Sequence, residues 1–229
     1  MKSEEFNRRI NELAMETSQQ LRWWSEVEEN ITKPMAIEFV KQFGLFPRHS
    51  RQCWANVVGN CPILEVRRFV VTENLWEEEA NEETSHYQLL VDMGVALGMT
   101  EDEITNAEPI PSTQTAFLAW ETLTRTQPWI EGLAAKGSLE ALNQAETGNL
   151  SGLSAKHWMA NLGLSSEDVA FWGVHSELDQ DHAHDTLEII GKYATEQDLD
   201  RAYVSSRKSH GVWLVLMNGI ADHVLSLAD

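Results

Sequence analysis

Two short stretches of this chain carry side chains able to bind a metal ion at helical spacing. One is FWGVHSELDQDHAHD, residues 171–185, with three histidines and three aspartates; the other is EANEETSH, residues 79–86. A helix turns about 100° per residue, so the phase of each polar group can be read directly. With His175 at 0°, Asp179 falls at about 40° and His182 at about −20°. Phe171, Leu178 and Ile189 share that side, and Trp172 and Ile190 flank it. Glu177, Gln180 and His184 lie on the opposite, polar side, so the apolar stripe itself carries two imidazoles and a carboxylate. Upstream, Leu75, Glu79, His86, Leu90, Met93 and Leu97 read as one stripe of a long helix. Glu79 and His86 are two turns apart on it, and Glu83 is about 40° from Glu79.

A single histidine on an apolar face is more often a satisfied core residue than a ligand. Buried carboxylates are different: each costs several kcal/mol unless it is neutralised or paired. The basic residues of these helices, Arg67, Arg68 and Lys192, do not sit on the stripes beside the acids. A divalent metal supplies the missing charge, and His nitrogen with Asp and Glu oxygen is a ligand set for iron, manganese or zinc. Two arrangements use these residues. Glu83 with His86 (ExxH) and Asp179 with His182 (DxxH) would make a ferritin-like pair. Glu79 with His86, and His175 with Asp179 and His182, make the other, which employs His175 where the first leaves it idle.

The elements that must position these groups are helical. Alternating β-branched runs are nearly absent, and the six prolines, Pro34, Pro47, Pro62, Pro109, Pro111 and Pro128, punctuate helical segments. The pattern predicts a single all-α domain over residues 1–229, a bundle of about seven helices. The expected helices run over about 3–29, 35–60 and 63–97, then a short one after MTEDE, and pieces from PSTQTAFLAW to about 146. A shorter helix in LSGLSAKHWMANLGL, one from a Ser165 or Ser166 cap to about 193, and one over about 196–227 complete the bundle. Hydrophobic residues at 42% and charged residues at 23% fit a globular core and exclude wholesale disorder. A net charge of −19 repels phosphate backbones and anionic lipid, so neither nucleic acid nor membrane is an expected partner. The charged N-terminus has no secretory pattern, and Cys53 and Cys61 form no CxxC pair, which places the chain in the cytoplasm with reduced, buried thiols.

At these residues the sequence resembles the haem-oxygenase-like di-iron oxidases and oxygenases. These are iron-containing redox enzymes in the superfamily that also holds thiaminase II, the pyrroloquinoline-quinone biosynthesis oxidase and CADD-like proteins. Glu79 and His86 in EANEETSH match the family's first helix, and His175, Asp179 and His182 in HSELDQDH match its later one. The layout of LNQAETGNLSGLSAKHWMANLGLSSEDVAFWGVH puts Glu146 in the role of the middle-helix ligand, with Glu140 as the fallback. The resemblance spans about residues 63–193.

What the resemblance implies is a metal site of Glu79, His86, Glu146, His175, Asp179 and His182 holding one or two irons, the second loosely. O2 would be co-substrate, a small organic metabolite the substrate, an external donor the source of electrons, and a homodimer the assembly. Thiaminase chemistry needs a cysteine late in the chain, whereas both cysteines here are early. Haem ligation needs a histidine near the N-terminus, and the first here is His49. Two rival readings are a ferritin-like iron-handling protein and a non-catalytic helical interaction module. Trp76 and Trp172 lie one turn from expected ligands and are candidates for the pocket wall, with Tyr87 a weaker one.

Overall fold

A computed structural model of the chain describes residues 1–76, 84–144 and 147–227; of residues 177–183 it describes the backbone but not the side chains. The described residues form eleven α-helices and no strand, a bundle of the expected class with more and shorter helices than the seven expected. They are α1 (Ser3–Ser18), α2 (Lys33–Phe43), α3 (Leu45–Asn60), α4 (Leu64–Phe69), α5 (His86–Ala96) and α6 (Glu101–Thr105). Then follow α7 (Pro111–Thr126), α8 (Trp129–Gly137), α9 (Leu150–Leu162), α10 (Ala170–Tyr193) and α11 (Glu196–Ser226). π-helical turns at Trp23–Val27 and Val70–Leu75, and 3-10 turns at Glu28–Asn30 and Glu140–Asn143, join them.

The extra helices come from local breaks. The helix expected over 35–60 stops at Gly44 and restarts, because Pro47 has no N–H and its ring would crowd the carbonyl four residues back. Gly44 tolerates the tight join: a Cβ there would lie 2.5 Å from the Val40 carbonyl oxygen. The helix expected over 63–97 is also interrupted: α4 gives way to a π-helical turn after Phe69, and Thr84 and Ser85 are not helical. Ser85 is extended, with φ −60° and ψ 151°, and its Oγ accepts from Gln88 N at 3.1 Å, capping a new helix that begins at His86. The first helix ends at Ser18, short of the expected 29. By contrast, α11 matches its expected span, opened by a capping box between Thr195 and Asp198.

The long α11 packs against α7, α8 and α1, while α10 packs against α8 and α9. At the α8–α10 crossing, a Cβ on Gly137 would lie 2.3 Å from Thr186 Cγ2, so only glycine permits this approach. Buried His210 of α11 ties three elements together, its Nδ1 2.9 Å from Thr17 Oγ1 and its Nε2 3.1 Å from the Ser138 carbonyl. Burial pulls its pKa down to about 4, so it sits in the core as a neutral ring. At the centre, Phe39 meets Trp23 at 4.3 Å, Phe43 at 4.9 Å, and Trp158 and Trp172 at 5.6 Å between ring centroids. No described helix is long and apolar enough to cross a membrane.

Candidate functional site

Between α2, α3, α8, α10 and α11 the aromatic core opens into a cavity of about 120 Å³. Phe43, Phe46, Trp54, Phe171, Trp172 and Trp213 make one part of its wall aromatic, and His86, His175, Glu140, Asn74 and Lys136 bring polar groups to it.

The two histidines meet across helices distant in sequence. His86 is the first residue of α5, held there by the Ser85 cap, and His175 lies in the second turn of α10. Their ring centroids are 4.5 Å apart, with planes inclined at 54°. His175 Nδ1 is 2.7 Å from the Phe171 carbonyl oxygen. That oxygen can only accept, so Nδ1 carries the proton and donates it, and Nε2 keeps its lone pair for a metal. The Phe171 ring lies 4.3 Å from the imidazole and packs its side. Backbone orientation of one ring nitrogen is the usual support for a metal-ligating histidine.

Glu140 enters from the 3-10 turn after α8, and its Oε1 accepts from Asn74 Nδ2 at 3.2 Å. His86, His175 and Glu140 line one cavity and are of the donor types that suit iron, manganese or zinc, but their ligand atoms do not converge; among the described residues the converging group is the exposed His184, Asp185 and Glu188. Lys136, one helical turn before Glu140, is 3% exposed. Its Nζ lies 4.5 Å from the Phe46 ring centroid, 5.4 Å from Trp120 and 5.6 Å from Trp54. Its charge, together with burial as the larger cause, draws the nearby His49 down to about 4.

Of the sequence-derived ligands, the structure brings His86 and His175 together. Asp179 and His182 lie on the backbone of α10, but their side chains are outside the described residues, as are Glu79, Glu83 and Glu146 altogether. The fallback carboxylate Glu140 lines the cavity. Because α5 starts at His86, the continuous two-turn stripe that linked Glu79 to His86 is absent: Thr84 and Ser85 are not helical. Trp172 is buried on the cavity wall as expected, whereas Trp76 is 55% exposed and not part of it. Tyr87 turns away, its hydroxyl 2.9 Å from Thr105 Oγ1. His184 is exposed, in keeping with its polar phase, and Asp185 beside it is exposed too.

Lys136 is the residue the sequence reading missed. Its signal was present in IEGLAAKGSLEAL: a lone lysine inside a helix of small and apolar residues, every one of which from Ile130 to Gly137 is buried.

The comparisons with known proteins agree with this architecture. Residues 37–210 match the family described as iron-containing redox enzymes. The 4-aminobenzoate synthase of Chlamydia pneumoniae is 25% identical over 189 residues, spanning 81% of this chain and 79% of that protein. A haem-oxygenase-like domain of unknown function from Shewanella denitrificans superposes with a TM-score of 0.81 at 15% identity, covering 100% of this chain and 96% of that one. A CADD-like protein of unknown function from Nostoc punctiforme gives 0.77 at 16% identity, over 97% and 98% of the two chains. A TenA homologue from Pseudomonas syringae gives 0.67 at 12% identity, over 96% and 89%. The matched span holds both histidine-bearing helices and most of the cavity wall, and the chain belongs to the iron-containing redox enzyme family with a haem-oxygenase-like fold.

Proposed function

We propose that this chain is a non-haem iron oxidase or oxygenase that uses O2 to oxidise a small organic metabolite. Iron, as one or two ions, is held in this reading by Glu79, His86, Glu146, His175, Asp179 and His182, with Glu140 as a further carboxylate on the cavity wall. The observation that carries it is the His86–His175 pair, with centroids 4.5 Å apart, on the wall of an aromatic cavity. Membership of an iron-containing redox family supports the choice of metal and reaction type.

Bound iron would supply the redox chemistry with O2 that side chains alone lack. The protein's own residues do the rest. The Phe171 carbonyl fixes the His175 tautomer and ring direction. Asn74 holds one Glu140 oxygen and so restricts its rotamer. The ring of Phe and Trp side chains excludes bulk water, which strengthens every polar interaction inside. A cavity of about 120 Å³, smaller than the roughly 150 Å³ that admits benzene, limits the substrate to a small molecule. The Chlamydia relative is named for the small aromatic acid that it makes.

The test is iron content after anaerobic loading with Fe(II), followed by O2 uptake. Wild-type protein is expected to retain up to two irons per chain and to consume O2 only when loaded. His175→Ala should lose both properties, while His184→Ala, on the exposed face, should keep them. Unchanged iron content in His175→Ala would refute this ligand set. Sedimentation as a dimer fits the reading; a large spherical assembly would favour iron storage instead.

A further inference from the structure

Buried polar atoms are nearly always paired, because each one left without a partner costs about 1–3 kcal/mol. Three residues on the cavity wall break that rule. Trp172 Nε1, Asn74 Oδ1 and Trp213 Nε1 are closed to bulk solvent and have no hydrogen-bond partner among the described residues. Trp172 is 3% exposed and Asn74 4%. Isolated cases occur elsewhere in the core, such as Asn7 and Thr186, but these three share one wall. By contrast, Trp120 donates to Ser209 Oγ at 2.8 Å, Trp158 to Glu28 Oε1 at 3.0 Å, and Trp24, on the same wall, to Ser154 Oγ at 3.0 Å.

The fold holds these atoms where they are. Phe171, Phe39, Trp158 and Phe43 surround the Trp172 indole at 5.1–6.0 Å between centroids, so it cannot swing away to find an acceptor. Asn74, in the π-helical turn Val70–Leu75, donates Nδ2 to Glu140 Oε1 at 3.2 Å. A carboxylate oxygen accepts, which fixes the way round of the amide and leaves Oδ1 as its unpaired end.

An indole N–H only donates, and an amide oxygen only accepts. A molecule that satisfies this wall therefore brings an acceptor and a donor together. We propose that Trp172 and Asn74 are polar contacts to the substrate, and that it is a small uncharged molecule pairing a carbonyl-type acceptor with an N–H donor, a carboxamide in its simplest form. The acceptor takes the Trp172 N–H, with Trp213 a second donor on the wall, and the donor meets Asn74 Oδ1. A carboxylate brings acceptors and no donor, so it aims a negative oxygen at Asn74 Oδ1; an ammonium brings nothing for the indoles. This rests on the cavity being the substrate pocket.

Propionamide, butanone and propionate share one size and shape and differ in the groups they offer, so they are the probes. All are smaller than benzene, as a cavity of about 120 Å³ requires. Dissociation constants are measured by equilibrium dialysis on the full chain, iron-loaded and after chelation. Trp172→Phe removes the indole N–H and keeps a ring. It should weaken propionamide and butanone alike by about 3- to 10-fold, the net worth of one hydrogen bond. Asn74→Leu removes the acceptor and should lower the propionamide-to-butanone affinity ratio by about the same factor; any effect through Glu140 falls on both probes and cancels. After chelation, propionate should bind wild-type protein more weakly than propionamide.

Wild-type affinities in Trp172→Phe overturn the proposal. So does an unchanged ratio in Asn74→Leu, or propionate binding more tightly than propionamide after chelation. Absence of saturable propionamide binding to wild-type protein also overturns it, and is the result expected if ordered water satisfies these atoms. Where a variant does not fold, wild-type protein with nitrogen-labelled indoles decides: the Trp172 N–H proton resonance should move downfield with propionamide, and an unmoved resonance refutes the contact. Iron content measured on the same samples separates the two readings. Amide binding without iron uptake keeps these contacts and removes the oxidase, and iron uptake without amide binding does the reverse.

Discussion

Replacing Glu28 by Gln should change how stability depends on pH, by an amount that follows from its surroundings. Glu28 has no exposed surface; Oε1 accepts from Trp158 Nε1 at 3.0 Å, and Ser154 and Trp23 also turn polar groups toward the carboxyl, Oε2 making no bond of good geometry. Desolvation dominates and raises its pKa from 4.5 to about 7. The folded state therefore holds a proton that the unfolded chain releases between pH 4.5 and 7. Stability from this group is fully present below pH 4.5 and is lost as pH rises to about 7, at 1.36 kcal/mol per unit, or about 3 kcal/mol in all.

His210 works in the opposite sense. Its pKa falls from 6.5 to about 4, so its contribution is present above pH 6.5 and is lost as pH drops to about 4. His49, also drawn down to about 4, adds to that direction. In wild-type protein the slopes oppose each other between pH 4.5 and 6.5. In Glu28→Gln only the histidine slope remains. The difference in unfolding free energy, wild type minus variant, should fall by about 3 kcal/mol between pH 4.5 and 7.5. In a chain of this size that corresponds to a relative melting-temperature shift of about 6–12 °C. Urea unfolding at half-unit pH steps measures it, and the constant cost of a buried amide cancels from the difference. Parallel stability curves would refute the assignment of Glu28 as the buried acid.

Other outcomes follow from geometry. Gly137→Ala places a methyl 2.3 Å from Thr186 Cγ2 and should cost about 1–3 kcal/mol. Thr186→Ala should recover part of that loss in a double-mutant cycle, and strict additivity would count against the contact. Ser85→Ala removes the cap on α5 and should cost about 1 kcal/mol, with faster hydrogen exchange at the Gln88 amide. Asn149 sits at φ 47° and caps Gly152 N at 3.0 Å, so Asn149→Ala should destabilise by about 1–2 kcal/mol in thermal melts and Asn149→Gly by less.

Legibility in the sequence tracked how local each signal was. The start of α11 was readable because Thr195 and Asp198 satisfy each other within one turn. His175 was readable because helical phase alone placed it on the apolar face. The break before α5 was also written locally, as Ser85-His86-Tyr87-Gln88, a cap pattern with Gln in the third position. It was obscured by the apolar periodicity running on either side. The break at Gly44 was signalled by Pro47, which lies in the interior of the helix expected over 35–60, but the apolar pattern on both sides of it outweighed that signal in the reading. Lys136 was not legible as a cavity residue, since the rings around its ammonium, Phe46, Trp54 and Trp120, come from other helices. Contacts of that kind are set by packing and leave no short-range pattern.

The aromatic wall has an optical consequence. Trp24, Trp54, Trp172 and Trp213, four of the chain's nine tryptophans, line the cavity. An occupant there would touch a large share of the indole emission of the whole molecule, quenching or shifting it without any label. The neighbouring rings of Trp158 and Trp172, 5.8 Å apart, are close enough for excitation energy to pass between them. The fold thus carries its own fluorescent reporter of what enters the cavity, and filling of that space can be followed on the millisecond scale in unmodified protein.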